Sequence, residues 1–304
     1  MSEYFNLPES FFLHFESKTL NQMKIAIITG ADGGMGQIHT LEVAKAGFHV
    51  IMACHDLQKA EPVFQKLQAQ SGSKMRLLPL ALNSFASIFA FVDTVKKEYN
   101  HIDLLLNNAG TLCHAAETTE EGIEMTMGVN YLGTFLLTRL LLPLMGKGTR
   151  IVSMGSLSHR WFKLDNSIFQ PIVGRFERFK PYSRSKRALL FFTLDTAEEW
   201  QKHGILVNYA DPSIVSTKII RMGIPFVDKL CDIFFRPLIK SPAQGAATML
   251  YLALSSETEA VTGTYYANKK QVVIPEKFRT STERAQLRIL TQNLLKQHHI
   301  VLPC

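Results

Sequence analysis

The sequence predicts an α/β fold in which helices cover both faces of a doubly wound parallel sheet. Three observations support this prediction. Short apolar runs alternate with helical patterns along most of the chain. The first run, residues 24–29, is apolar on both faces, as is typical of a strand inside a parallel sheet. A glycine-rich turn at residues 30–36 then joins this strand to a helical pattern, which is the order of a βαβ unit.

The remaining elements follow the same alternation. Strands are predicted at residues 48–53, 75–82, 102–106, 150–154, 205–209 and 263–266, and helices at residues 37–46, 57–70, 84–99, 122–145, 182–202 and 243–254. Two stretches, 157–181 and 217–241, interrupt it and are the natural candidates for an insert and a lid on the substrate side. We therefore expect one domain over residues 23–268, an N-terminal extension at 1–22 and a basic helical tail at 269–304.

Composition narrows the classes of function. The chain has 304 residues, of which 46% are hydrophobic and 19% charged, and its net charge is +7. The basic residues are scattered and no nucleic-acid motif is present, so we expect no nucleic-acid partner. The four cysteines show neither metal-ligand spacing nor a dense disulfide framework, which favours a reducing compartment, the cytoplasm, and no metal site.

The chain termini and one apolar helix bear on membrane contact. Residues 1–10 lack the basic region of a signal peptide. The apolar stretch 131–145 contains Thr134, Thr138 and Arg139, so we expect a buried helix rather than a membrane span. The aromatic-rich extension could contact a membrane or a hydrophobic partner, and the basic tail could form a dimer contact or lie on a membrane surface. Packing against the domain is the interpretation we favour for both.

A glycine-rich segment follows the first predicted strand. Gly30, Gly34 and Gly36 permit a tight turn and a close approach of the backbone to a ligand, and the following helix N-terminus attracts phosphate. Asp32 and Met35 lie inside the same loop. A glycine triplet alone is weak evidence, but its place between a strand and a helix predicts the pyrophosphate site of a dinucleotide.

The end of the second predicted strand bears on which dinucleotide binds. An acid there would bind the ribose hydroxyls and indicate NAD, but the strand ends at Cys54. His55 could lie near a 2′-phosphate, with Lys59 one helical turn away. We therefore favour NADP, while Asp56 and Asp32 keep NAD as the alternative.

Tyr182 and Lys186 are four positions apart in the longest predicted helix, so they share one helix face. An ammonium beside a phenol lowers the pKa of the phenol from its usual value of about 10. The pair predicts that Tyr182 donates or accepts a proton near neutral pH. The same spacing is common on solvated helices, so it gains meaning only from the rest of the chain.

Five motifs occur in order along the chain: Thr29-Gly30-x3-Gly34-x-Gly36, Asn107-Asn108-Ala109-Gly110, Asn130, a serine after the fifth strand, and Tyr182-x-x-Ser185-Lys186. Together they resemble the short-chain dehydrogenase/reductase family over about residues 24–268, which implies a Rossmann-type sheet. Residues 49–54, the long insert before Tyr182 and residues 245–266 are most similar to the retinol-dehydrogenase-like branch.

The resemblance implies roles for four residues. Tyr182 would be the general acid in carbonyl reduction and the general base in alcohol oxidation, and Lys186 would bind the nicotinamide ribose and lower the tyrosine pKa. Ser156 would hydrogen-bond the substrate oxygen; Ser158 and Ser153 are its competitors. Asn130 would position a water that relays protons through Lys186, and its amide would also satisfy a helix irregularity.

The resemblance also implies a set of cofactor contacts: Gly30, Asp32, Gly34, Met35, Gly36, His55, Asn108, Ala109, Gly110, Tyr182, Lys186, Pro212, Val215 and Thr217. Three positions depart from the family pattern. Ala81 stands where an aspartate contacts adenine, and His55 stands where the branch has arginine. Ser213 replaces a glycine at a position that tolerates unusual backbone angles.

These features predict an NAD(P)(H)-dependent oxidoreductase, such as a carbonyl reductase, that interconverts a carbonyl and an alcohol. The apolar character of residues 217–241 favours a hydrophobic small molecule as substrate. The alternative is a non-catalytic dinucleotide-binding protein that senses the cofactor or acts as a scaffold, which the three departures motivate. Assembly into a homo-oligomer stays open.

Overall fold

A computed structural model describes residues 23–213 and 240–303 of the chain. One eight-stranded sheet runs through the described part, in the order β3-β2-β1-β4-β5-β6-β7-β8. The strands are β1 (Ile25–Thr29), β2 (His49–Cys54), β3 (Met75–Pro79), β4 (Ile102–Asn107), β5 (Met145–Met154), β6 (Leu206–Asp211), β7 (Thr264–Ala267) and β8 (Lys270–Val272). The first seven are parallel and β8 is antiparallel, so the predicted doubly wound sheet is confirmed.

Helices cover both faces of this sheet. They are α1 (Gly34–Lys45), α2 (Leu57–Ser71), α3 (Phe85–Glu98), the composite α4, α5 (Phe179–Trp200), α6 (Pro242–Leu254), α7 (Glu276–Arg279) and α8 (Thr282–Gln297). The composite helix α4 comprises Met125–Met127, a π-helical segment Gly128–Gly133, and Thr134–Leu141. Short 3₁₀ turns follow α4, β5 and α5.

Strand β1 shows why both of its faces had to be apolar. Ile25 and Ile27 join the cluster formed with α3, α4, α5 and α8, whereas Ala26 and Ile28 join the cluster formed with α1, α2 and α6. All four side chains are at most 1% exposed. Alternate residues of a strand point to opposite faces of the sheet, so the central strand contributes side chains to both hydrophobic clusters.

Helix α5 begins earlier than predicted. The sequence placed its start at residue 182, after Pro181, but the helix starts at Phe179 and Pro181 lies in its first turn. Proline is accepted there because the first N–H groups of a helix have no intrahelical partner. Tyr182 and Lys186 therefore lie inside the helix rather than at its edge.

The tail is more closely tied to the domain than the predicted division suggested. The boundary expected between residues 268 and 269 falls in the hairpin that joins β7 to β8. Helix α8 docks on α5 through Arg284, which contacts Asp195 at 2.5 Å and Glu198 at 2.7 Å. The Tyr131 hydroxyl and Thr291 Oγ1, 2.8 Å apart, join α8 to α4. Of the three arrangements considered for the tail helix, the structure shows docking on the domain.

Helix α4 lies in the interior. By length and composition alone, Met125–Leu144 could cross a membrane, but 67% of its most apolar stretch is buried inside the protein. Its polar residues are used internally: the Thr138 hydroxyl donates to the Thr134 carbonyl, and Asn107 Nδ2 donates to Thr138 Oγ1 at 3.0 Å. It is the buried core helix that the sequence predicted.

The site region is created by the parallel strands. The carboxyl ends of β1, β4, β5 and β6 meet at one edge of the sheet, where Gly30, Asn108, Ser156 and Pro212 follow them. The strand order reverses between β1 and β4. Open α/β sheets bind ligands at such a reversal, outside the carboxyl ends of the strands.

Candidate active site

The glycine loop between β1 and α1 has the shape of a phosphate cradle. Gly30 adopts a φ of 60°, and a Cβ on Gly36 would lie 2.1 Å from the Gly30 carbonyl oxygen, so neither position accepts a side chain easily. A Cβ on Gly34 would meet nothing within 4 Å. The N-cap of α1, Gly33, offers no side-chain cap, which leaves the first N–H groups of α1 available to an anion.

The loop after β4 is locked to the glycine loop. Asn108 Nδ2 donates to the carbonyls of Thr29 and Gly30 at 2.8 and 3.1 Å. The Thr29 hydroxyl in turn accepts from the N–H groups of Asn108 and Ala109 at 3.0 and 2.9 Å. The Asn108 amide therefore holds the two loops together and shapes the cavity. Thr29 opens the glycine motif of the sequence, and the structure shows that its hydroxyl positions the loop after β4.

A cavity of about 960 Å³ extends along this edge of the sheet. It runs from the glycine loop to Cys113, and Met35, Ala109 and Gly110 are among its walls. A Cβ on Gly110 would lie 3.4 Å from Lys186 Nζ and 3.3 Å from Asn130 Oδ1. Gly110, which lines the cavity, therefore lies close to the predicted catalytic lysine, and the size of the cavity suits a dinucleotide.

The end of the cavity next to β2 holds the residues that bear on cofactor choice. Within the described chain, the titratable residues that line the cavity include Asp32, His55 and Glu117. Lys59 is not among the lining residues, and its ammonium pairs with Asp56 at 2.7 Å. Asp56 also caps α2, accepting from the Lys59 N–H. Neither Asp56 nor Lys59 is placed to contact a cofactor as the sequence suggested, which leaves His55 and Asp32.

The cavity wall that follows β3 contains Leu80, Leu82 and Asn83. At the position between the two leucines, the Ala81 N–H donates to the Ser87 hydroxyl at 2.9 Å. An alanine stands there instead of the aspartate of the family pattern.

Tyr182, Ser156 and Lys186 come together at the carboxyl end of β5. The Ser156 hydroxyl lies near the Tyr182 phenol and lowers its pKa. Lys186 Nζ lies 5.8 Å from the centre of the Tyr182 ring and donates to the Met154 carbonyl at 2.9 Å. Ser158 Oγ donates to Ser156 Oγ at 2.9 Å, and Ser153 is buried beside Asn107. Of the three candidate serines, Ser156 is the one that contacts the tyrosine.

The sequence predicted that Lys186 lowers the pKa of Tyr182, and this prediction is wrong, because the pKa of Tyr182 is raised. Burial raises the pKa of Tyr182, and the Ser156 hydroxyl opposes the rise only in part. Burial also lowers the pKa of Lys186 to about 8, against the opposing effect of Asp211. Both shifts have one cause, since a low-dielectric interior disfavours the charged form of either group.

Asn130 lies in the π-helical segment of α4 and is 1% exposed. Its Oδ1 accepts from the Thr111 N–H at 2.7 Å, and its Nδ2 donates to the Thr111 carbonyl and to Ser185 Oγ at 2.9 and 3.0 Å. The side chain thus connects the loop after β4, the helix irregularity and α5. The predicted structural role is present, whereas water positioning stays a prediction.

The last predicted contacts lie after β6. Ser213, which follows Pro212, adopts a φ of 64°, a left-handed backbone that favours glycine, and its N–H donates to Asp211 Oδ1 at 2.7 Å. The sequence had identified this position as one where a side chain replaces a glycine. Val215 and Thr217, the extension at residues 1–22 and most of the 217–241 stretch lie outside the described residues.

Sequence reasoning missed Asp211, the last residue of β6. It is 2% exposed, accepts from the Tyr265 hydroxyl at 2.6 Å, and raises the pKa of Lys186. A carboxylate at the end of a largely apolar strand, directly before Pro212, was the available signal.

Comparison with known proteins points in the same direction. A sequence model described as short chain dehydrogenase matches residues 24–222. Retinol dehydrogenase 13 from Mus musculus is 35% identical over 257 residues, covering 82% of this chain and 77% of its own length. Polyprenol dehydrogenase from Mus musculus is 34% identical over 260 residues, covering 82% and 76%.

Solved structures show the same fold. A putative uncharacterized protein from Mycobacterium Paratuberculosis superposes with a TM-score of 0.73 at 25% identity, covering 90% of this chain and 93% of its own. A short chain dehydrogenase from Burkholderia cenocepacia J2315 in complex with NADP superposes with a TM-score of 0.66 at 22% identity, covering 80% and 95%.

The doubly wound sheet, the phosphate cradle and the serine–tyrosine–lysine cluster define an oxidoreductase that uses a nicotinamide dinucleotide. Sequence identity to named relatives is 32–35%. The chain belongs to the short-chain dehydrogenase/reductase family, in its retinol-dehydrogenase-like branch.

Proposed function

We propose that this protein interconverts a carbonyl and an alcohol on a hydrophobic substrate, with NADP(H) favoured over NAD(H). One observation carries the proposal: Ser156, Tyr182 and Lys186 gather at the carboxyl end of β5, and Lys186 Nζ would lie 3.4 Å from a Cβ built on Gly110, which lines the cavity. Two hydroxyls such as those of Ser156 and Tyr182 can hold a substrate oxygen and exchange a proton with it.

The nicotinamide dinucleotide, when bound, supplies or accepts the hydride. The glycine loop with the N-terminus of α1 and the Ala109–Gly110 wall line the cavity and would hold it. By the family resemblance, Lys186 and Tyr182 would contact the nicotinamide ribose. Pro212 and, outside the described residues, Val215 and Thr217 complete the proposed set. Because the Asn108 amide is occupied by Thr29 and Gly30, its part is to shape the wall.

In carbonyl reduction, Ser156 Oγ holds the substrate oxygen while the Tyr182 O–H gives its proton to that oxygen. In alcohol oxidation the phenolate takes the proton back. Burial raises the pKa of Tyr182, so the phenol is protonated at neutral pH, which is the form that reduction requires. Lys186, with a pKa lowered to about 8, would return a proton to the tyrosine.

The proposal of a hydrophobic substrate has two supports. The relatives are named retinol and polyprenol dehydrogenases, and both names refer to apolar alcohols. The 217–241 stretch of this chain carries Met222, Ile224, Phe226 and Phe234, which suits an apolar substrate.

The preference for NADP rests on the absence of an acid at the end of β2 and on His55 in the cavity wall. Asp32, in the same wall, favours NAD. A 2′-phosphate near the histidine would gain a counter-charge whenever the imidazole is protonated.

Turnover of a panel of retinoid, steroid, prenol and short-chain carbonyls with NADPH and NADH tests the proposal. We expect oxidation of the reduced cofactor with at least one apolar carbonyl, faster with NADPH. If both cofactors bind but no member of the panel is reduced and no matching alcohol is oxidised, the sensor or scaffold interpretation replaces the enzyme.

A further inference from the structure

Tyr209, in the middle of β6, is a buried tyrosine that no motif of the sequence singled out. It is 0% exposed and pairs in register with Ser153 of β5. Its hydroxyl accepts from the Ser156 N–H at 2.9 Å and lies 3.1 Å from the Lys186 carbonyl oxygen and 3.3 Å from the Ser156 carbonyl oxygen. One phenol thus contacts the main chain of two of the proposed catalytic residues.

Three successive residues at the end of β5 are each tied down. The Met154 carbonyl accepts from Lys186 Nζ at 2.9 Å, and the Gly155 N–H donates to the Ala210 carbonyl at 2.7 Å. The Ser156 N–H is held by the Tyr209 hydroxyl. Beyond Ser156 the chain turns into the 3₁₀ segment Leu157–Arg160. Tyr209 therefore supplies the last sheet-side tether before the serine side chain.

Gly155 provides the space that the Tyr209 ring occupies. A Cβ on Gly155 would lie 2.0 Å from Cε1 and 2.3 Å from Cζ of that ring, far inside any allowed contact. Gly155 is not among the glycines with a positive φ, so its backbone does not require glycine and only the ring does.

The ring has little freedom to move away. It makes edge contacts with His159 and Tyr265, at centroid distances of 5.9 and 5.4 Å. His159 itself is within 2.8 Å of the Ser156 carbonyl oxygen through Nδ1. A side chain at 155 and a tyrosine at 209 exclude one another in a packed interior.

We propose that Tyr209 is a positioning residue for Ser156, and that Gly155 and Tyr209 form a coupled pair in which the ring fills the place of a side chain at 155. The catalytic part of this inference rests on the proposed function. Its packing part does not, so the two can be tested separately.

The packing part is tested by thermal unfolding, without any substrate. Gly155→Ala should lower the Tm by roughly 5 °C, because overpacking a core strains it. In a Tyr209→Val background the same substitution should lower the Tm by less than a third as much. Gly146→Ala, on the same strand with nothing within 4 Å of the added Cβ, is the matched control and should change the Tm by about 1 °C or less. Equal losses from Gly155→Ala in both backgrounds would overturn the coupling.

The catalytic part is tested with Tyr209→Phe, which keeps the ring and removes the hydroxyl. We expect kcat to fall about threefold to tenfold, as the loss of one hydrogen bond allows, while the KM for cofactor stays within about twofold. Tyr131→Phe is the matched control: it removes a buried hydroxyl bonded to Thr291 and should cost as much Tm without changing kcat. If both variants change kcat equally, the effect is general loosening and the positioning role is wrong.

A double-mutant cycle shows whether Tyr209 acts through Ser156. In a Ser156→Ala background, Tyr209→Phe should change the residual rate by less than about twofold. If it still lowers that rate by the factor seen in the wild type, the hydroxyl acts elsewhere and the proposal fails. If the wild-type protein turns over no substrate in the panel, the proposed function fails instead, while the unfolding experiment still decides the packing part.

Discussion

The ammonium nitrogen of Lys186 lies 5.8 Å from the centre of the Tyr182 ring; the lysine is buried and the tyrosine is partly exposed. Burial lowers the pKa of Lys186 to about 8 and raises that of Tyr182. As the pH rises, the lysine therefore loses its proton before the tyrosine does. The sequence had predicted the opposite order, in which a charged lysine stabilises a tyrosine that has already lost its proton. The protein without cofactor is set up with a protonated phenol, which is the state that can give a proton to a carbonyl oxygen.

The choice between NADP and NAD leads to a prediction about His55. His55→Arg places a permanent positive charge in the cavity wall, so it should strengthen NADP binding at both pH 6 and pH 8. NAD affinity should change little.

Calorimetric titration of both cofactors at the two pH values measures this. Asp32→Asn is the counterpart variant: removal of that acid from the cavity wall should favour NADP and weaken NAD. Tighter binding of NAD than of NADP at both pH values would show that Asp32 is the ribose partner and that the preference for NADP is wrong.

Changing either of two glycines after β1 to alanine should impair a different property: stability at Gly36 and cofactor binding at Gly34. Gly36→Ala places a Cβ 2.1 Å from the Gly30 carbonyl oxygen and should lower the Tm by roughly 5 °C even without cofactor. Gly34→Ala meets nothing within 4 Å, so the Tm should hold within about 1 °C. Because Gly34 lines the cavity, its new methyl group should still weaken cofactor binding about tenfold or more. Thermal shift with and without cofactor separates the two effects, and normal binding by Gly34→Ala would remove this loop from the cofactor site.

Ser156 and Ser158 should differ in their effects on turnover. Ser156→Ala removes the hydroxyl that contacts Tyr182 and should lower kcat about 10²- to 10³-fold. Ser158→Ala removes a donor to Ser156 Oγ and should cost only a few-fold. Steady-state kinetics of both variants give the ranking. The reverse ranking would mean that Ser158 holds the substrate oxygen.

His39 is buried between α1 and α6, and its burial predicts that the folded protein loses stability in acid. Burial lowers its pKa from 6.5 to about 4, against weaker opposing effects of Ala246 and Asn108. Since the folded protein keeps this ring neutral while the unfolded chain protonates it below pH 6.5, stability falls as the pH drops from 6.5 toward 4. The loss should approach about 3 kcal/mol between pH 7 and pH 4.

Urea unfolding of the wild type and of His39→Gln across that range isolates this contribution. Glutamine does not titrate, so the difference between the two free energies of unfolding should change with pH by the amount due to the histidine. A difference that stays constant from pH 7 to pH 4 would show that the folded protein accepts the proton on His39.

Much of the fold was accessible from the sequence, because buried parallel strands leave continuous apolar runs and the helices between them leave a period of 3.6. Ser213 is an example at the level of one residue. The sequence marked it as a side chain where glycine is usual, and the structure gives it a φ of 64°.

Other features depend on distances that no spacing in the sequence reveals. Lys59 forms an ion pair with Asp56 and does not line the cavity. Burial raises the pKa of Tyr182, which the sequence had predicted to be lowered. The fit of the Tyr209 ring against Gly155 joins two strands that are remote in sequence. Each follows from tertiary packing, which local pattern does not encode.

The most direct test of the catalytic account is Tyr182→Phe, measured as kcat and as cofactor affinity on the same preparation. Phenylalanine keeps the ring that packs in α5 and removes the proton that would be exchanged with the substrate oxygen. We predict that turnover of the apolar carbonyl collapses by at least about 10³-fold, while the Kd for NADPH stays within about threefold of the wild-type value. A kcat near that of the wild type, with cofactor bound normally, would contradict the assignment of Tyr182 as the proton donor.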